Sequence, residues 1–122
     1  MKSKVRPQLS DLVNTGTLEI EKFQNEAIRP IIKMQHILLI ILFKNYIKKR
    51  KIDFHNLKIE KQKAKINSIL TKDIIFKNLI LGSIIGHFSD EELTLYLKDS
   101  SELKKRILQI IKQRLQDSFI LS

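Results

Sequence analysis

Residues 30–49 read PIIKMQHILLIILFKNYIKK, and the fold turns on how this stretch is taken. Proline is tolerated at a first helical position and pushes the residue before it out of helical dihedrals. Pro30 therefore predicts the start of a helix and Arg29 the end of the one before it. From Ile37 to Phe43 every side chain is apolar. A helix that is apolar on all sides belongs in the middle of a bundle, so this element is expected at the core. It falls far short of the roughly 20 apolar residues that a bilayer span requires. Lys33, Gln35, His36, Lys44 and Asn45 flank it.

Toward the N-terminus, Thr17 is placed to cap a first helix, with Glu19 and Glu21 near its positive end and Leu18, Ile20 and Phe23 as apolar positions. Residues 1–16 mix basic and polar positions and end in the turn-like Asn14-Thr15-Gly16. They are expected to form a loosely ordered N-terminal arm ahead of a bundle domain spanning 17–122. They also lack the apolar stretch of a secretory signal, which predicts a cytoplasmic location.

Toward the C-terminus, IDFHN (52–56) reads as a connection anchored by Phe54. A third helix over about Leu57 to Leu70 puts Ile59, Ile66 and Leu70 on one side and Lys58, Lys61 and Lys65 on another. A fourth, DIIFKNLILGSIIGHF (73–88), starts at Thr71 or Asp73 and is again apolar on most sides, the expected core partner of the second. Its Gly82 and Gly86 suit close helix packing or, for Gly86, a helix end. Ser89 and Glu92 form a capping box for a fifth helix, and Asp99 to Glu102 repeats the device for a last one. That last helix carries the stripe Leu103, Ile107, Ile110, Ile111 and Leu115. The fold class is all-α, a compact single-domain bundle of five to six helices.

Composition agrees. The 122 residues suit one core, 43% are hydrophobic and 30% charged, and glycine and proline are scarce. With no cysteine there is no disulfide framework, thiolate zinc site or cysteine nucleophile. His36, His55 and His87 stand apart in sequence, without the paired spacing of a dedicated metal site. No phosphate loop, nucleophile elbow or HExxH helix occurs. Asp90, Glu91 and Glu92 are explained by capping and the helix dipole. No catalytic residue, metal ligand, cofactor or small-molecule substrate is inferred, and the reading points away from an enzyme. GSIIGHFSDEELTLYL (82–97) has the glycine spacing of a helix-turn-helix, but its second helix would bring three carboxylates toward phosphates. That excludes sequence-specific DNA reading through this element.

The charge is the remaining clue. The net charge is +10, and Lys44 to Lys65 alone holds nine basic residues against two acidic ones. Lys44, Lys48 and Lys51 share a face if the helix continues, and Lys58, Lys61 and Lys65 face out from the next one. A helical hairpin would join both rows. Lys44, Lys48, Lys49, Arg50, Lys51, Lys58, Lys61 and Lys65 are the candidate nucleic-acid-binding residues, with Tyr46, Phe54 or His55 available for stacking. Eighteen lysines against five arginines favour backbone contact over base-edge reading. The expected partner is nucleic acid or a ribonucleoprotein. The alternative is a protein partner or homodimer docked through apolar positions on the first or last helix. A membrane surface fits less well, because the apolar positions fill most of the helix circumference.

At IRPIIKMQHILLIILFKNYI (28–47), GHFSDEELTLYL (86–97) and SSELKKRILQIIKQRL (100–115) the chain resembles a short, all-helical, uncharacterised bacterial family often labelled glyoxalase. The resemblance covers most of residues 20–118 and implies a helical fold. It brings no activity or binding residues with it. Metal-dependent glyoxalases are built from paired βαβββ modules, and no segment here alternates as a strand would.

Overall fold

A computed structural model describes residues 17–120; the N-terminal arm expected at 1–16 lies outside the described residues. The chain does not leave the helix at Arg29. Helix α1 (Thr17–Phe23) runs through a π turn, Gln24–Ile28, directly into α2 (Arg29–Met34). Arg29 keeps helical dihedrals, φ −59 and ψ −43, although proline follows it. Proline has no N–H, and its ring collides with the carbonyl four residues back, here on Glu26. The π turn relieves this by widening the winding just upstream, where the Arg29 N–H bonds to the Gln24 carbonyl. The break expected before Pro30 falls instead at Gln35 (φ −94, ψ 14), which joins α2 to α3 (His36–Lys49).

Helix α3 ends in a Schellman motif. The Ile52 N–H reaches the Ile47 carbonyl at 2.9 Å and the Lys51 N–H reaches the Lys48 carbonyl at 3.1 Å. The left-handed residue of this motif is Lys51, with φ 54, where glycine is the usual occupant. A single 3₁₀ turn, Phe54–Asn56, follows, with Phe54 buried as the sequence predicts. The buried Gln62 side chain fixes this turn by donating to the Phe54 carbonyl at 3.0 Å. Helices α4 (Ile59–Lys72), α5 (Ile74–Ile85), α6 (Asp90–Lys98) and α7 (Ser100–Phe119) complete an all-α bundle. No strand occurs among the described residues.

Helix α7 is the hub, packing against the π turn, α3, α4, α5 and α6. Its buried residues are Leu103, Ile107, Ile111, Leu115 and Phe119, each four apart. Four residues advance a helix by slightly more than one turn, so this line drifts about 160° around α7 from end to end. Successive turns therefore face different neighbours. Near its start, Arg106 donates to Gln24 of the π turn at 3.0 Å. At its end, the Phe119 ring lies 4.9 Å from Phe43 and 6.4 Å from Phe54.

The two most apolar helices are not enclosed. Helix α3 buries Leu39, Phe43, Tyr46 and Ile47, but Ile37 is 67% exposed and Ile41 60%. Helix α5 buries Phe76, Ile80, Leu81 and Ile84 while leaving Ile75 83% exposed, with Ile74 and Leu79 also in the open. The two do pair, antiparallel and tied at both ends. The Gln35 side chain donates to the Ser83 carbonyl at 3.0 Å, and the Tyr46 hydroxyl to Asp73 at 2.6 Å. Gly82 is exposed, and a methyl group built on it would meet nothing within 4 Å. It therefore serves no close helix contact among the described residues. Gly86 is the C-cap of α5.

The expected capping box at Ser89 and Glu92 forms in full, around a completely buried Glu92. Its counterpart does not. Asp99 precedes α7 with φ −131 and ψ 41 and makes no side-chain cap, and Glu102 instead pairs with Arg106 at 2.9 Å and Lys105 at 3.9 Å. Ile59, expected on the inner side of its helix, is exposed.

Candidate functional site

The basic segment gathers where α3 ends and α4 and α5 meet. Asp73 organises this junction. One of its carboxylate oxygens accepts from the Phe76 N–H at 3.0 Å, capping α5, while the other accepts from Tyr46 and lies 3.5 Å from an Arg50 nitrogen. The Arg50 guanidinium in turn sits 3.9 Å above the Tyr46 ring, a cation–π contact. The hydrogen bond from Tyr46, followed by that from the Phe76 N–H, holds the Asp73 carboxyl below the ordinary carboxylate range. Burial, then the same bond to Asp73, pushes the Tyr46 hydroxyl up. Asp73 is therefore a fixed anion and Arg50 a fixed cation, both built into the fold.

Beside them opens a recess of about 370 Å³, lined by Tyr46, Arg50 and Ile52 from the α3 end and by Lys65, Ser68, Ile69, Lys72 and Asp73 from the α4 side. Lys61, Lys65, Ser68 and Lys72 are spaced i, i+4, i+7 and i+11, one face of α4. Three cations from two helices thus converge on one concavity, with Asp73 the single carboxylate among its lining residues.

The expected site residues divide accordingly. Arg50 and Lys65 come together at the recess, and Lys61 lies on the same α4 face one turn away. Lys44, Lys48, Lys49, Lys51 and Lys58 are exposed but do not line it. Lys51 does not extend the face of Lys44 and Lys48, because the helix has ended and the backbone has turned left-handed there. Lys58 precedes α4 in an extended conformation. Lys72 went unassigned because it lies beyond the densest charge run. Its spacing of eleven from Lys61 is the signal that finds it. Of the aromatic candidates, Tyr46 lines the recess, Phe54 is wholly buried, and His55 is exposed with its ring edge-on to Phe54.

Among the described residues no group of histidine and acidic side chains is placed to hold a metal ion, and no helix is long and apolar enough to cross a membrane. No family model, curated protein or solved structure matches this chain.

Proposed function

We propose that the protein is a cytoplasmic, non-enzymatic binding module that holds the phosphate backbone of a nucleic acid at the α3–α4–α5 junction. The observation that carries this reading is the convergence of Arg50, Lys65 and Lys72 on one recess, with exposed Lys48, Lys49, Lys51 and Lys61 nearby in the chain. Lys51 adds support. A non-glycine residue in left-handed conformation costs roughly 1 kcal/mol, and a lysine kept there is a charge held in place against a local penalty. Lysine-dominated contact reads phosphates rather than base edges, so affinity should depend on salt more than on sequence. In a gel shift with single-stranded RNA and duplex DNA, wild-type protein should retain both at low salt and release them steeply as salt rises. Lys65→Glu with Lys72→Glu should abolish retention. Wild-type protein that retains neither at low salt sinks the reading.

A second reading is favoured by the open apolar face, namely self-association through α3 and α5. Met34, Ile37, Leu38, Ile41, Ile74, Ile75 and Leu79 are all exposed. This moves the expected dimer contact away from the first and last helices, where Phe23, Leu103, Ile107, Ile111 and Leu115 are buried in the bundle. Sedimentation over a concentration series should show a dimer that Ile37→Asp with Leu79→Asp converts to monomer. A wild-type monomer at every concentration removes this reading.

A further inference from the structure

A second recess lies elsewhere, between the starts of α2 and α3 and the second half of α7. It encloses about 470 Å³, and its lining includes Arg29, His36, Gln109, Gln113, Arg114 and Asp117. This volume is in the range of small-molecule sites.

Its donors are set by the fold. Arg114 Nη1 lies 3.1 Å from His36 Nδ1. A guanidinium has no acceptor, so Nδ1 must accept, and the imidazole is then neutral with its proton on Nε2. His36 thus becomes a second donor, fixed in orientation by the first. Arg114 Nε is buried and has no hydrogen-bond partner among the described residues. A buried donor of this kind calls for an acceptor. Arg29 is steadied through Nε by Asn25 at 3.1 Å, inside the π turn, and its terminal nitrogens make no ion pair among the described residues. The single carboxylate of the lining, Asp117, is occupied by Gln113 at 3.0 Å rather than by either arginine. Two guanidiniums therefore face one recess without a carboxylate bonded to either.

We infer that this cleft is a binding site for a small oxyanion ligand, a phosphate- or carboxylate-bearing metabolite held by Arg29 and Arg114 with His36 Nε2–H as a third donor. Two planar forks suit two oxygens of one acidic group, or two groups of one molecule. The site is separate from the basic recess: they share no lining residue.

Pyrophosphate and citrate serve as probes, each compared with sodium chloride at equal ionic strength, in thermal unfolding and in histidine ring NMR. Both probes should raise the unfolding temperature beyond the chloride control, and the stronger one assigns phosphate or carboxylate as the preferred group. The His36 ring resonances should move and those of His55 should not. Arg29→Gln, which alters a partly free side chain at the rim, should weaken the effect roughly tenfold, the loss of one charge-assisted contact. Lys65→Glu with Lys72→Glu should leave it intact. No stabilisation by either probe, an unmoved His36, or equal stabilisation of Arg29→Gln overturns the inference. Loss of the effect in the Lys65 and Lys72 variant overturns it as well, and assigns the anion to the basic recess.

Discussion

Helices α3 and α7 invert the usual relation between apolar content and burial. Helix α3 carries seven consecutive apolar residues and leaves Ile37 and Ile41 mostly in the open. Helix α7 is interrupted by lysine, arginine and glutamine throughout, yet Leu103, Ile107, Ile111 and Leu115 are all enclosed. What separates them is phase. An apolar residue every fourth position forms one continuous line that neighbouring helices can cover, while an unbroken run points half its side chains away from any single neighbour. The hub of the bundle is the helix whose apolar positions form one unbroken line, turning slowly enough for successive neighbours to cover it.

The sharpest way to break this comparison is to truncate one isoleucine on each helix. Ile111→Ala or Ile107→Ala should destabilise by about 2–5 kcal/mol in urea unfolding, the cost of a core cavity. Ile37→Ala should stay within about 0.5 kcal/mol of wild type if the protein is a monomer under those conditions. Equal losses at both sites would mean that the α3 face is covered in solution. The starts of α6 and α7 offer a smaller contrast. Ser89→Ala, which removes a cap bond of 3.2 Å to the Glu92 N–H, should cost about 1 kcal/mol. Asp99→Ala, which removes no cap bond, should cost less than about half of that.

At the far end of α3 the expected sign reverses. Lys51→Gly relieves a left-handed residue and should stabilise by up to about 1 kcal/mol. It should also weaken nucleic-acid retention if the basic end is used. The smallest effect is a pH signature. The Asp73 carboxyl titrates below its ordinary range, so its contribution to stability is present above that range and is lost as pH falls through the depressed value. Tyr46→Phe, which removes the main cause of the depression, should be less stable than wild type at neutral pH. The two should converge in acid, as followed by circular dichroism. A constant difference across the titration would assign the loss to packing instead.

Local signals were legible in the sequence wherever a few neighbouring residues decide the outcome. The Ser89–Glu92 box, the Phe54 anchor and the α7 stripe all fall in this class. Pro30 misled because its rule concerns the residue before it, and the π turn upstream lets Arg29 stay helical. Asp99 misled because matching residue types is insufficient without extended backbone at the cap position. The basic site was legible as a region and not as a face. Arg50 meets Lys65 and Lys72 because α3 stops at Lys49 and α4 returns beside it, which no spacing within either helix reveals. The arginine cleft joins residues about 80 positions apart, beyond the reach of any periodic reading.

The π turn also fixes a matter of length. Such a turn holds one residue more than the α turn it replaces, so the helix from Thr17 to Met34 contains a spare residue between Gln24 and Ile28. Deleting one position there while replacing Pro30 by alanine removes the surplus and its cause together, and should yield an ordinary helix with Phe23 and Ile31 still facing the core. Either change alone leaves the count and the winding at odds. The first helix is thus matched to its proline by arithmetic, and a shift of one residue in this stretch would have to be answered within the same two turns.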